Sequence, residues 1–439
     1  MMNSNSGVSI RLTADACWIP LVQSVIENGA PVLGLTAKKT LDLTLAAEEF
    51  LLHLSNTSPG TALKMILNRE ASRVSAQFQF ESSPADLWAM NLTAAGEITR
   101  DLDQGMDHMG LLLMSRVVDH FFIDLKGRKI SVTLYQEIEY PEMPKTDVPP
   151  SLLKGPLYVS LDSDSAEISH ACTLVTTLYP ESLYPRSFRT PGKVIDRISG
   201  GNFHAGILKD QAGRIAGMIY WRNRSEKTVE FYGPYAFSNQ ENHHIAGVLI
   251  NHMIGSLARS TAITLYSRMA TEELPSGSFE PLARFKEKEP DGQTRKRTLW
   301  FRHLREDIGC HVWAHPSFAP FLRKTYDTLF LMRTVREYQG SGENRPERSL
   351  LGTKLDAERK EAFLRPMIDG TDIRENIARH VKLLVDENFL NIFLTIDLSV
   401  GWQTVLGEAL AANGFSPAYV LPYAGQSDEV IFQYVSTDA

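Results

Sequence analysis

Cys310-His311, with His315 four residues further on, places a thiol and two imidazoles in one short stretch, and these are side chains that ligate zinc. Three ligands do not close a structural zinc site, and no second Cys/His pair lies nearby, so plain strand and loop accounts for the same residues. Arg295-Lys296-Arg297, backed by Trp300 and Phe301, combines positive charge with aromatic rings, the pairing that single-stranded nucleic acid binds. A solvated loop leading into a strand is the preferred reading of that run, and no nucleic-acid partner is expected. On the segment TVEFYGPYAF, Glu230 is the only acid, flanked by Tyr232 and Tyr235. The chain has no Gly-x-Ser-x-Gly elbow, no Walker loop and no Gly-x-Gly-x-x-Gly fingerprint, so the usual hydrolase and nucleotide loops are not what it is built on.

These residues must be held by several domains. At roughly 100–200 residues per domain, 439 residues predict two to four units. Apolar residues make up 43% and charged residues 22%, an ordinary globular composition. Lys plus Arg number 45 against 52 Asp plus Glu, a net charge of −7 that disfavours broad binding to nucleic acid or anionic membranes. No apolar run approaches the ~20 residues of a membrane span, and the first residues do not have the form of a secretion signal. With Cys17, Cys172 and Cys310 widely spaced, a reducing, cytoplasmic setting is expected.

Five prolines between Tyr140 and Pro156 mark a linker, and Arg336 to Ser349 a second break. Lys286 to Arg297, around Pro-Asp-Gly, reads as a loop. Before the linker, Leu41, Leu45, Phe50, Leu51 and Leu54 suggest a helix over 40–54. Val74, Ala76, Phe78 and Phe80 alternate as on a half-buried strand, Gly110 to His120 reads as a helix, and 121–138 as a hairpin turning at Lys126-Gly127-Arg128. After the linker come a strand at 157–161, a helix capped by Ser163 or Asp164, the hairpin NFHAGILKDQAGRIAGMIYW, the strand TVEFYGPYAF, a helix over 243–257 and the strand AITLYS. Further on are a helix over 318–331, a strand pair near 350–366, a helix over 372–386, the strand NIFLTIDL, a helix over 402–412 and a last strand pair.

The segments LDLTLAAEEFLLHLSN, RVSAQFQF and MGLLLMSRVVDHFFIDLKGRKISVTLYQEI together resemble the ATP-binding fold of bacterial anti-sigma-factor serine kinases, of the GHKL class, over about Ser9 to Glu139. The resemblance implies a nucleotide site with Glu49 and, four residues on, His53 on one helix face, Glu81 at the adenine position, and Gly105 and Gly110 in the phosphate lid. His53 replaces the family's Mg²⁺-binding Asn, and an imidazole is a poor ligand for that hard ion. Glu81-Ser82-Ser83 replaces Asp-x-Gly, and Gly105 and Gly110 lack the tight Gly-x-Gly spacing. ATP and Mg²⁺ are thus implied cofactors met by degenerate motifs, with an anti-sigma antagonist as the implied protein partner and a homodimer as the implied assembly.

From Ser160 to about Arg305 the order of elements resembles a GNAT-type N-acetyltransferase, and Phe393 to Val435 resembles the second half of another such unit. Acetyl-CoA is the cofactor this implies, its pyrophosphate lying where the fourth strand meets the next helix. The counterpart here is Asn239 to Gly247, with Asn242, His243, His244, Ala246 and Gly247 as the candidate CoA contacts. The family's Arg and first glycine are missing there, and Glu241 adds negative charge. The resemblance also implies Glu230 as the base towards an amine, with a nearby Tyr to protonate the thiolate.

The expected fold class is therefore α+β and α/β: a GHKL-like sandwich followed by GNAT-like mixed-sheet domains, tandem or split. The boundaries are 1–140, a linker at 141–156, 157–305, and a partial unit at 306–439. The expected function is a bacterial regulatory protein with a degenerate kinase-like module that docks a partner and a GNAT-like module that binds an acyl-CoA-like ligand. The alternatives are an active N-acetyltransferase and an ATP-dependent serine kinase.

Overall fold

The computed structural model describes residues 7–82, 85–95, 102–144, 153, 155–160, 164–238, 242–338 and 345–435, without the side chains of 85–86 and 102–107. Three units follow one another along the chain.

The first unit is a five-stranded antiparallel sheet covered on one face by helices. Its strands are β1 (Gly7–Thr13), β2 (Ala62–Glu70), β3 (Arg73–Glu81), β4 (His120–Lys126) and β5 (Lys129–Glu137), in the order β1-β2-β3-β5-β4. Its helices are α1 (Ile19–Val32), α2 (Ala37–Thr57) and α3 (Leu102–Val117). The alternation in β3 buries Val74, Ala76, Phe78 and Phe80, and the hairpin turns at Gly127, where φ is +62°. Three elements are absent from the sequence-based expectation: β1, which is mostly exposed, β2, and α1, which carries Gly29 and Pro31. The core stripe of α2 also differs. Leu43, Ala46, Ala47, Phe50, Leu51 and Leu54 are buried, whereas Leu41 faces solvent. The predicted helix at 110–120 starts earlier and ends at Val117, and Asp119 beyond it receives Lys39 at 2.7 Å and the Glu137 N–H at 2.8 Å.

The middle unit opens with β6 (Tyr158–Ser160), α4 (Ser165–Leu178) and α5 (Pro191–Ser199). Asp164 caps α4 by accepting the Glu167 N–H, the sequence pattern expected there. The hairpin β7 (Phe203–Lys209) and β8 (Ile215–Asn223) follows, then β9 (Thr228–Ala236), α6 (Asn242–Leu257) and β10 (Thr264–Met269). A closing hairpin, β11 (Glu280–Lys288) and β12 (Thr294–His303), completes a sheet ordered β11-β12-β10-β9-β8-β7-β6, in which only β9 and β10 run parallel. The loop expected at 286–297 is thus mainly strand. Its charges alternate on a pleat, with Glu287 buried between two arginines.

The last unit begins with a parallel pair, β13 (Cys310–Ala314) and β14 (Arg333–Glu337), joined through α7 (Ala319–Thr328). Next come β15 (Leu350–Asp356), β16 (Glu361–Ile368), α8 (Ile373–Asp386), β17 (Asn391–Asp397), β18 (Phe415–Leu421) and β19 (Glu429–Tyr434). They form a sheet ordered β15-β16-β17-β19-β18, which repeats the order β8-β9-β10-β12-β11 of the middle unit with the same single parallel pair. The single helix expected over 402–412 is two short ones, α9 (Gly401–Thr404) and α10 (Gly407–Ala412).

The units do not stand apart. Tyr266, Leu282, Phe285, Leu299 and Phe301 of the middle unit share one core with Phe393, Ile396, Tyr419 and Phe432 of the last. Buried Asn91 of the first unit donates to the Ser349 carbonyl at 2.8 Å and accepts the Leu351 N–H at 2.9 Å. Among the described residues no helix is long and apolar enough to cross a membrane.

Near this junction, fully buried His380 on α8 places Nδ1 2.9 Å from the Asn376 carbonyl, and burial lowers its pKa to about 4 from an ordinary 6.5. Below pH 6.5 the unfolded chain therefore binds a proton that the folded chain refuses. Stability is expected to fall as pH drops from about 6.5 to 4, by about 3 kcal/mol in all from this residue. Urea unfolding across that range checks it: His380→Gln should flatten the profile, and an equally steep variant would refute the assignment.

Candidate functional site

Parallel β9 and β10 pair at Thr228–Thr264, Val229–Leu265 and Glu230–Tyr266, then lose register and meet once more at Tyr232–Met269. Beyond Tyr232, β9 runs on to Ala236 still paired with β8 but no longer with β10, leaving a wedge-shaped gap between β9 and β10. Side chains occupy the backbone groups along that wedge. Thr271 Oγ1 donates to the Pro234 carbonyl at 2.5 Å, and Pro234 has no N–H to offer. The Tyr179 hydroxyl accepts the Ala236 N–H at 2.8 Å and stands 3.0 Å from the Ala236 carbonyl and 2.9 Å from Glu273 Oε1.

The last unit repeats the device. Pairing of β16 with β17 ends at Leu364–Leu394, and Pro366 lies two residues on, as Pro234 does from Tyr232. There Gln403 spans the wedge, donating to the Pro366 carbonyl at 3.4 Å and accepting the Asp397 N–H at 2.9 Å. The start of α8 is also taken up. Asp372 accepts both the N–H and the hydroxyl of Ser349 at 2.7 Å, and a side chain at Gly370 would strike the Arg348–Ser349 backbone.

The start of α6 in the middle unit is more open. Asn242 is half-buried with no hydrogen-bond partner for Oδ1 among the described residues, His243 and His244 are exposed, and Ala246 is buried. Among the described residues nothing lies within 4 Å of where a Gly247 side chain would begin. Asn239, Gln240 and Glu241 lie outside the described residues.

Glu230, 9% exposed, receives Arg222 Nε on Oε2 at 2.6 Å. Burial pushes its carboxyl up, but Arg222 and Arg224 outweigh this and hold it below the ordinary carboxylate range. It is therefore a charged partner of arginine and a weak proton acceptor. Burial raises Tyr232 and Tyr235 well above the usual phenol range, and the Tyr235 hydroxyl is spent on the Leu183 carbonyl at 2.8 Å.

In the first unit the structure brings Glu49, His53 and Gly110 together at the α2–α3 contact, while Glu81 sits exposed at the end of β3 opposite Lys129. Gly105 lies in α3 where side chains are outside the described residues. A Cβ on Gly110 would run into the Glu49 carboxylate, so the two helices touch at this point. Burial, reinforced by Glu48, raises the Glu49 pKa. His53 is buried near His108, whose ring lies 5.1 Å from Trp88. Elsewhere, Cys310 faces Ser427 and His315 turns to Ser317, and no group of three metal-binding side chains occurs among the described residues. The basic run is an ion-paired hairpin, with Arg297 on Glu287 and Glu289.

Sequence reasoning missed a cavity of about 120 Å³ at the meeting of the α4–α5 loop, the end of β10, the β11–β12 hairpin and the β15–β16 turn. Arg268, Glu287, Arg297, Arg359 and Glu361 line it. Nothing in local periodicity marks residues drawn from two units.

No family model and no curated sequence matches this chain. Among solved structures, aminoglycoside 6'-acetyltransferase type Ii aligns with 34% of this chain and 98% of its own, at 15% identity and a TM-score of 0.28. The phosphinothricin acetyltransferase of Sinorhizobium meliloti, solved with AcCoA, aligns with 35% of this chain and 90% of its own, at 14% identity and a TM-score of 0.29. N-acetylglutamate synthase from Neisseria gonorrhoeae, complexed with coenzyme A and L-arginine, covers 48% of each chain at 12% identity and a TM-score of 0.21. At such scores these likenesses decide nothing by themselves. The middle unit runs in the order strand, two helices, hairpin, strand, helix, parallel strand and closing hairpin.

Proposed function

We propose that this is a regulatory protein whose GNAT-like middle unit binds an acyl-CoA-like ligand at the start of α6 and is not built for rapid acyl transfer. The observation that carries the reading is the open first turn of α6 beside the β9–β10 wedge. Bare Gly247 and exposed His243 and His244 leave that helix end accessible to an anion, which unpaired backbone N–H groups and the helix dipole attract. Against turnover, Glu230 is held charged by Arg222, and Tyr179 and Thr271 occupy the backbone that a thioester arm would meet in the wedge. The first unit is then a docking module of kinase-like descent for a partner such as an anti-sigma antagonist, and large side chains including Val32, Leu41 and Phe122 stand exposed on it. The Glu49–Gly110 contact gives ATP-dependent phosphotransfer no support.

Thermal unfolding of the full-length protein with CoA, acetyl-CoA and Mg-ATP, each at millimolar concentration, tests this. A ligand at about 100 times its dissociation constant adds about 2.7 kcal/mol, which is several degrees for a domain of this size. CoA and acetyl-CoA are expected to raise the midpoint and Mg-ATP to leave it unchanged. Gly247→Glu, which sets a negative charge at the helix start, should abolish the shift. A midpoint indifferent to both CoA forms would sink the reading.

A further inference from the structure

The helical layer of the first unit leaves an apolar seam uncovered. On α2, Leu43, Ala47, Phe50 and Leu54 face the sheet, which turns Leu41, Leu45 and Leu52 to the opposite side. On neighbouring α3, Met109 and Leu113 stand one turn apart on the outer side. Leu41, Leu52, Met109 and Leu113 are between 39% and 63% exposed, and Leu45 is half-buried. The two helices run antiparallel, since Lys39 near the start of α2 bonds Asp119 just past the end of α3, and His53 faces His108. At their contact the Glu49 carboxylate lies over Gly110, which has no side chain to fill the seam. Leu45 and Leu52 stand one turn before and after Glu49, and Met109 and Leu113 flank Gly110. The result is a shallow groove with aliphatic walls and a carboxylate in its floor.

The charge around this groove is of one sign. Glu49 in the floor, with Glu48 and Asp42 beside the leucine stripe, forms no ion pair among the described residues, and Glu48 receives only the Gln23 amide, at 2.8 Å. Burial, reinforced by Glu48, raises the Glu49 pKa, and no cation opposes it. The cations of the helical layer are engaged or lie off the groove. Lys39 is held by Asp119 and Gln136, Arg116 by the Leu92 carbonyl, and Lys38 stands in the first turn of α2, beyond Leu41. A carboxylate among aliphatic side chains is costly unless a cation completes it.

We propose that this groove docks a basic amphipathic helix of a partner protein, its apolar stripe laid between α2 and α3 and one Lys or Arg set on Glu49. Two antiparallel helices present the ridges between which a third helix packs, and an apolar stripe at helical spacing is what such a groove reads. Leu41 to Leu52 spans about 16 Å, so a helix of about three turns covers it. A second copy of this chain is a poor occupant, because it would bring two acidic floors together. An anionic membrane surface is disfavoured for the same reason. The proposal deepens the docking role given above to the first unit and rests on that role, and it is independent of acyl-CoA binding by the middle unit.

The test titrates the full-length protein, at physiological ionic strength, into two fluorescent helical peptides of about five turns. Both carry leucine at positions i, i+3, i+4 and i+7, with lysine elsewhere in one and glutamate elsewhere in the other. The lysine peptide is expected to bind about tenfold more tightly than the glutamate peptide, or better. Glu49→Lys and Leu113→Ser should each weaken it by about tenfold. Glu387→Lys, the same change of charge at an exposed position just past α8, should leave it unchanged. If Glu49→Lys lowers the thermal midpoint, Leu113→Ser decides the matter. Binding of neither peptide, equal binding of both, or equal weakening by Glu387→Lys overturns the proposal. So does a self-associated protein that Leu113→Ser converts to monomer, since a second copy then fills the groove. Lysine-peptide binding that survives both groove variants overturns it too, but leaves the first unit a docking module with its surface elsewhere. None of these outcomes alters the CoA-dependent midpoint by which the middle unit is judged.

Discussion

Arg268→Met is expected to lower the stability of the full-length protein by about 3–5 kcal/mol at neutral pH, the usual cost of stranding a buried charge. The guanidinium lies 5.1–5.8 Å from the ring centroids of Phe285, Phe363 and Phe393, so a methionine of similar length keeps most of the apolar packing. What is lost is electrostatic. Glu287 retains Arg297, but Glu361 loses the one partner it has among the described residues. The deficit should shrink on acidification. Burial already raises the Glu361 pKa, and without Arg268 the folded chain holds that proton still more firmly than the unfolded chain does. Folding of the variant then takes up a proton, so its stability rises relative to wild type as pH falls towards that raised pKa. Urea midpoints at neutral and mildly acidic pH measure both effects, and Arg268→Met/Glu361→Gln should recover most of the loss. A single variant within about 1 kcal/mol of wild type at neutral pH would show that the network is not what joins these two units.

Arg333→Leu should be at least as damaging, by about 5 kcal/mol. The Arg333 side chain is 0% exposed, between Asp307 at 4% and Asp428 at 0%, with 2.7 Å contacts to each. Its guanidinium also stacks 4.4 Å from the Tyr423 ring, whose hydroxyl bonds Asp307. Removing it leaves two buried carboxylates facing each other at the start of β14. Arg333→Lys keeps the charge, yet a single ammonium cannot fork across both acids, so only part of the loss should return. Thermal unfolding ranks the three proteins, and limited proteolysis shows whether the break is local to 307–338. An unshifted midpoint in the leucine variant would refute the role assigned to this cluster.

Both predictions rest on contacts that the primary structure does not display. Local patterning did reveal much of the scaffold. The period-two run Val74, Ala76, Phe78, Phe80 is the buried face of β3, Asp164 caps α4, and Lys126-Gly127-Arg128 turns the hairpin. Local rules failed where they carry least information. The edge strand β1 alternates Val8, Ile10 and Leu12 with Ser9, Arg11 and Thr13, so its period is legible although only Leu12 is buried, whereas a helix containing Gly29 and Pro31 contradicts its own propensities. Charges at 286–297 looked like a loop because nothing nearby announces that Glu287 will be buried against Arg268 and Arg297. Leu41 fitted a helical stripe one turn away from the face that the sheet covers.

The same division holds for the candidate sites. Glu230 stood out from the residues as the only acid on its strand, and the start of α6 was placed correctly at the end of β9. That Glu230 would be tied to Arg222, or that a tyrosine 57 residues away would cap the Ala236 N–H, depends on cross-strand register and helix docking. Pro234 and Pro366 become equivalent only once both parallel pairs are aligned. The charged cavity at Arg268 is the extreme case, since Arg268 and Glu361 are 93 residues apart and belong to different sheets. The sequence by itself determined where most strands and helices form, because periodicity and caps act within a few residues. Only the tertiary structure decided which charges meet and which backbone edges are closed, because burial and pairing depend on distances that the order of residues along the chain does not set.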